Sequence, residues 1–232
     1  MPVGKPSTTP LPPVPKIALY GDRRVPYTEK CRRALLLKRL AFELHEPASA
    51  EDVRRWSPET GLLPVMTVDG ELISDSTSIL LRLDRVRPEP ELVSPDPVTA
   101  ARQRHLEDWA DESFLWYYQQ WLRIAGTAEP TPAVSARPLR HLGRWRRAAS
   151  SEAPPRAVLL GELGARLTDL VNLLGQRPFF HSDRVSLADL AVYGILSSLS
   201  SDSIPGAAAL IANRPALLGL MARVEEQTGG RG

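Results

Sequence analysis

The stretch GLLPVMTVDGELISDSTSILLRL, Gly61 to Leu83, decides how the first part of this chain folds. Leu62 to Val68 is a short apolar run of strand length, entered through Pro64. Asp69-Gly70 follows, and both residues tolerate the positive φ that a two-residue hairpin demands. Glu71 to Ile73 therefore returns as a partner strand. Ser74, Asp75 and Ser76 can each accept from the orphan amides of a helix start. Beyond them Ile79, Leu80 and Leu83 recur at helical spacing, so the stretch reads strand, hairpin, strand, helix.

Working outward, Lys16 to Tyr20 (KIALY) is another strand. Gly21 to Arg24 turns the chain, and Pro26 suits a first helical turn, where its missing N–H is no loss. Tyr27 to Leu40 carries a helical stripe through Cys31, Ala34, Leu35 and Lys38. Phe42 to His45 alternates as a strand, and Glu51 to Trp56 is helical until Ser57-Pro58 stops it. The order is β-α-β-α-β-β-α over residues 16–86. No glycine-rich phosphate loop follows the first strand, which argues against a Rossmann unit.

After this region the grammar changes. Arg87 to Pro97 (RPEPELVSPDP) contains four prolines and reads as a linker. Residues 98–228 show helical periods only: Val98 to Ala125, a basic helix Arg137 to Ala149, Ala157 to Leu174, Leu187 to Leu199 and Pro215 to Gln227. Leu187 to Leu199 is apolar on nearly all sides, the mark of a buried core helix. Met1 to Pro15 (MPVGKPSTTPLPPVP) holds six prolines and reads as a disordered leader.

Composition narrows the function. The chain has 232 residues, 43% hydrophobic and 24% charged, with a net charge of +2. That charge gives no electrostatic case for nucleic acid. A lone cysteine, Cys31, excludes an intrachain disulfide framework and fits a reducing compartment. No stretch approaches the roughly 20 apolar residues of a membrane span. The four histidines are dispersed, without paired metal-ligand spacing, so no metal site is expected.

Four stretches together resemble the soluble glutathione S-transferase family of bacterial type: VPYTEKCRRALL (Val25 to Leu36), Gly61 to Leu83, RPFFHSDRVSLADLAVYGIL (Arg177 to Leu196) and RPALLGLMARVEE (Arg214 to Glu226). The resemblance implies a thioredoxin-like N-terminal domain followed by an all-helical C-terminal domain. It implies glutathione as co-substrate or ligand, a hydrophobic small-molecule electrophile, a homodimer and a cytoplasmic location.

The resemblance also assigns residues. Leu63, before a Pro64 that the family holds cis, would offer its backbone to the cysteinyl part of glutathione. Asp75 and Ser76 would take the γ-glutamyl end at a helix N-terminus, where free amides favour an anion. Trp109, Trp116 and Tyr117 fall on the helix that lines the family's substrate pocket. Ser186 and Asp189 form a capping box at the start of the buried helix, a structural role.

One position departs from the pattern. Where such transferases place a thiol-activating Ser or Cys before the helix-starting proline, this chain has Val25. Valine cannot donate to a thiolate or form a mixed disulfide, which argues against glutaredoxin-like redox chemistry. Tyr20 and Thr28 are the substitute catalytic candidates, each also readable as a packing or capping residue. Tyr27, Arg23 and Arg24 are weaker ones, and Cys31 reads as a buried small hydrophobe. The same fold without thiol activation would serve as a non-catalytic binding or assembly module.

Overall fold

The structure, a computed structural model, describes residues 15–125 and 154–229. The proline-rich leader up to residue 14 and the basic stretch 137–149 lie outside the described residues. The first half runs β1 (Ile17–Tyr20), α1 (Pro26–Leu37), β2 (Glu43–His45), α2 (Ala50–Trp56), β3 (Val65–Val68), β4 (Glu71–Ser74) and α3 (Ser76–Val86). The helical half is α4 (Pro97–Ile124), α5 (Arg156–Leu174), α6 (Leu187–Ser200), α7 (Ala207–Ala212) and α8 (Pro215–Gln227).

The strands form one mixed sheet in the order β2-β1-β3-β4. β1 is parallel to β2 and antiparallel to β3, with Tyr20 opposite Val65. The β3–β4 hairpin turns on Asp69 (φ 51°) and Gly70 (φ 88°), the conformation that makes Asp-Gly a hairpin signal.

Two boundaries differ from the sequence reading by more than one residue, and one element is absent from it. α1 stops at Leu37 rather than Leu40, because Arg39 turns left-handed (φ 51°) and the chain doubles back. The Leu40 amide then bonds the Leu35 carbonyl and the Arg39 amide the Leu36 carbonyl, a Schellman ending without glycine. β3 begins at Val65, since Pro64 has no amide to give the ladder. The six-residue α7 has no counterpart in the sequence reading; it is too short to display a period.

The two halves share one hydrophobic core, in which α6 packs against α1 and α4. Gly194 makes this possible: a Cβ there would lie 2.5 Å from the Pro26 carbonyl oxygen. Polar ties cross the same junction. Arg33, 2% exposed, donates to Glu29 on its own helix, to the Tyr193 hydroxyl on α6 and to Thr228 after α8, each at 2.7 Å. Lys38 pairs with Asp84 at 2.7 Å and donates to the Arg87 and Pro90 carbonyls, fixing the linker to the end of α1.

At the start of α6 the expected capping box is present. The Ser186 amide and hydroxyl donate to Asp189 Oδ2 at 2.9 and 2.7 Å, and the Phe180 amide donates to Oδ1 at 2.8 Å. Burial pushes the Asp189 carboxyl up to about 6, against the pull of those donors.

Candidate functional site

The site is assembled where β3 and α3 begin. The Leu63–Pro64 peptide bond is cis, and both residues are buried. Among the described residues, neither the amide nor the carbonyl of Leu63 has a hydrogen-bond partner. Two strong backbone groups just ahead of β3 are thus left for something outside the described residues, whereas buried backbone groups are almost always paired.

The second element is the N-terminus of α3. Asp75 is its N-cap and adopts φ 75°, a conformation disfavoured for a residue with a side chain. Its Oδ1 accepts from the Ser78 amide at 3.0 Å, and its carbonyl from the Ile79 amide at 2.9 Å. That leaves the Ser76 and Thr77 amides as the orphans of the first turn. The Ser76 hydroxyl also bonds no described residue. Unpaired amides at a helix N-terminus with a hydroxyl beside them make a good seat for a carboxylate.

Behind this turn sits a buried ionic cluster that the sequence reading missed. Lys30 donates to Glu107 Oε1 and to Asp111 Oδ2, both at 2.7 Å, and the Thr77 hydroxyl donates to Glu107 Oε1 at 2.6 Å. Glu107 Oε2 is buried without a partner among the described residues. The Lys30 ammonium stays charged because Asp111 and Glu107 outweigh the cost of its burial. One cation does not serve two carboxylates equally, and burial pushes Asp111 up to about 7. The signal for this cluster was a lysine on the apolar stripe of α1, between Tyr27 and Ala34.

The candidates for thiol activation divide clearly. Val25 is the half-buried N-cap of α1 and has no side-chain cap bond. Thr28 is fully buried with its hydroxyl unpartnered, packed under the β1–α1 turn so closely that a Cβ at Gly21 would collide with it. It has no route to a ligand in this conformation, and the role open to it is support of that turn. Tyr27 commits its hydroxyl to the Asp111 carbonyl at 2.9 Å. Arg24 pairs with Asp22, and Arg23 lies near Glu46, both at the surface. Tyr20 is half-buried and stacks on His45, ring centroids 4.9 Å apart, with Trp56 at 5.1 Å. It packs on the cluster that contains Leu63. Cys31 is buried, 3.7 Å from the Ser76 carbonyl oxygen, and burial raises its thiol far above the ordinary range.

Known proteins share this fold. Residues 19–91 match the family model described as the glutathione S-transferase N-terminal domain, and residues 148–229 match the C-terminal domain model. The chain belongs to the glutathione S-transferase family. A search of curated protein sequences gave no match. Among solved structures, a glutathione S-transferase from Methylobacterium radiotolerans in complex with glutathione sulfonate is 25% identical, with a TM-score of 0.64 over 90% of each chain. The Tau class glutathione S-transferase of mango is 20% identical, with a TM-score of 0.66 over 90% of this chain and 88% of its own. A glutathione transferase homologue from Sulfitobacter with bound glutathione is 17% identical, with a TM-score of 0.62 over 90% and 91%.

Within this transferase fold, the three aromatic residues expected at a substrate pocket do not converge. Tyr117 is buried, and Trp116, packed edge-on against it at 4.8 Å, is 43% exposed. Trp109 instead lines a cavity between α4 and α5, to which the first domain contributes no residue. Among the described residues, no helix is long and apolar enough to cross a membrane, and His, Cys, Asp and Glu form no metal-ligating group of three or more.

Proposed function

We propose that this chain binds glutathione through Leu63, Pro64, Asp75 and Ser76 and conjugates it, through its thiol, to a hydrophobic electrophile. One observation carries the reading. The Leu63 amide and carbonyl, the first amides of α3 and the Ser76 hydroxyl have no partners among the described residues, although they lie at the start of adjacent elements. A thiol tripeptide with a terminal carboxylate supplies what they lack: an extended backbone for Leu63 and an anion for Ser76. Asp75 would take the ligand's ammonium.

In the transfer, the bound thiolate forms the new carbon–sulfur bond. The leaving group departs with its electron pair, or an added carbanion takes a proton from water. Tyr20, half-buried and packed on the cluster that contains Leu63, would donate to the thiolate; Trp116 and Tyr117 would face the electrophile, with Trp109 further along α4. The protein would act in the cytoplasm as a homodimer, using apolar surface such as the exposed Leu72 and Leu81 of the first domain.

Val25 supports a second reading, a binding or assembly module that holds glutathione without activating it. Retention on immobilised glutathione, with Ser76→Ala as control, tests the shared binding step. Wild type should be retained and the variant should elute early; no retention of wild type removes both readings. Conjugation of glutathione to chlorodinitrobenzene, lost in Tyr20→Phe, then separates enzyme from binder. Light scattering at twice the chain mass checks the dimer.

A further inference from the structure

The ionic cluster behind α3 reaches the carboxylate seat through one residue. The Thr77 amide is open at the first turn of α3, and the Thr77 hydroxyl donates to Glu107 Oε1 at 2.6 Å. Glu107 shares the Lys30 ammonium with Asp111, each at 2.7 Å. An anion on that amide and the Glu107 carboxylate would thus be held by the same threonine.

The charges of the cluster do not balance. One ammonium faces two carboxylates, and Asp75 is a third acid within range of Asp111. Glu107 Oε1 accepts from both Lys30 and Thr77, whereas Asp111 Oδ2 accepts from Lys30. Lys30 and Glu107 side chains are each 1% exposed, but Asp111 keeps 21%, so a proton can reach it from solvent. The other titratable groups facing Asp111 are Tyr27 and Cys31 of α1. Burial pushes both far above their ordinary values, so neither carries charge near neutral pH. Asp111 can change charge there, because burial, against the pull of Lys30, lifts its carboxyl to about 7.

We propose that a carboxylate seated at Ser76 and Thr77 drives a proton onto Asp111, so that ligand binding and proton uptake are coupled. The proposal rests on the glutathione reading and adds a regulation to it. A further negative charge beside Glu107 favours the protonated form of Asp111. The ligand's ammonium acts in the opposite sense, but from Asp75, whose own charge acts on Asp111 more weakly than those of Lys30 and Glu107. The anion therefore decides the sign. The ligand binds the protonated form more tightly, and its affinity falls as pH rises through neutrality. The proton comes from solvent, and no bond of the ligand changes.

S-Methylglutathione, which has no thiol to ionise, tests this when titrated into the full chain by calorimetry in phosphate and in Tris. The two buffers differ in ionisation enthalpy, so the difference in heat counts protons. Wild type should take up a fraction of a proton at pH 7 and none at pH 5, where Asp111 already holds one. Binding should be about two- to five-fold weaker at pH 8 than at pH 6, the effect of one like charge nearby. Asp111→Asn, which fixes the neutral form, should bind without uptake and with a flat pH profile. In infrared difference spectra of wild type at pH 7, the ligand should bring up the carbonyl band of a protonated carboxylic acid, a reading that needs no variant. Equal heats in the two buffers, proton release, or uptake that persists in Asp111→Asn would each overturn the coupling and leave glutathione binding intact. Absence of binding by wild type at every pH would overturn the coupling and the glutathione reading together.

Discussion

The Lys30 ammonium and the Glu107 carboxylate meet at 2.7 Å with each side chain 1% exposed, joining α1 of the first domain to α4 of the helical one. A buried pair of this kind is a poor source of net stability but a dangerous one to break. Lys30→Met leaves Glu107 with Thr77 as its remaining donor and Asp111 with no cation. The expected cost is about 3–5 kcal/mol in chemical denaturation. Lys30→Met combined with Glu107→Leu should recover a large part of it, because the orphaned charge is then gone. A double variant no more stable than the single one would show that Lys30 acts through packing alone.

Asp111 makes stability depend on pH in a defined direction. Burial lifts its carboxyl to about 7 in the folded chain, against 3.8 as the ordinary value. Below pH ~4 both folded and unfolded forms hold the proton, and nothing is gained or lost. Between about pH 4 and 7 the unfolded chain releases it while the folded chain keeps it, so stability falls as pH rises; above about 7 the loss is constant. Each unit is worth about 1.4 kcal/mol, giving a loss on the order of 2–4 kcal/mol over this window. Asp189 is also raised, to about 6, and contributes in the same sense. Urea midpoints of wild type minus Asp111→Asn isolate the Asp111 share, since Asp189 is common to both. A difference that is flat from pH 4 to 7 contradicts the assignment.

Asp189 itself is a structural acid, and its removal is expected to be severe. Asp189→Ala strips the acceptor from the Phe180 amide and from the amide and hydroxyl of Ser186, all buried at the head of α6. Unsatisfied buried donors cost about 1–3 kcal/mol each, and the sum is a large part of the stability of an ordinary domain. Little folded protein should be recovered at 37 °C, read by near-UV circular dichroism. Ser186→Ala, which keeps the backbone amide, should fold at a cost of about 1 kcal/mol.

How much of this was legible in the sequence follows from the range of the forces involved. Asp69-Gly70 and the Ser186–Asp189 spacing encode their geometry within a few residues, and both elements are found where those signals place them. The end of α1 at Leu37 was missed because its left-handed residue is Arg39, which carries no glycine signature. Residue types at Leu63 and Ser76 mark a site only through a resemblance; that their polar groups lack partners is a property of the fold. The Lys30 cluster joins residues 77 and 81 positions apart, so no local pattern could announce its partners. Trp109 was expected beside Trp116 and Tyr117, yet it lines the α4–α5 cavity, because residues spaced by seven and eight on a long helix need not share a neighbour.

Gly194 marks a close approach between the two domains. Its place is set by steric exclusion rather than by backbone freedom, with the Pro26 carbonyl oxygen 2.5 Å and the Pro26 carbonyl carbon 3.2 Å from any Cβ. Neither neighbour is the far end of a flexible side chain. Gly194→Ala, which helix propensity alone would favour by up to about 1 kcal/mol, should therefore destabilise, by about 1–3 kcal/mol as for other overpacked cores. A Tm above that of wild type would mean that α1 and α6 can separate without loss.

Val25 is where binding and activation come apart. It occupies the N-cap of α1 with a side chain that offers no donor; the Thr28 hydroxyl is unpartnered but fully buried, and the Tyr27 hydroxyl is committed to the Asp111 carbonyl. Val25→Ser introduces a hydroxyl at a half-buried position, with a side chain one heavy atom smaller. A hydrogen bond to a charged acceptor is worth about 1.5–3 kcal/mol, which lowers a thiol pKa by about one to two units. The ultraviolet absorbance of bound glutathione thiolate, followed against pH, should shift by that amount in Val25→Ser, and conjugation near pH 7 should rise with the thiolate fraction. If the bound thiol in wild type already titrates one or more units below free glutathione, and Tyr20→Phe restores the free value, the chain has moved thiol activation from the helix start to the end of β1. A thiol that is unshifted in wild type and falls only in the Val25→Ser variant would instead identify a glutathione binder whose chemistry ends at Val25.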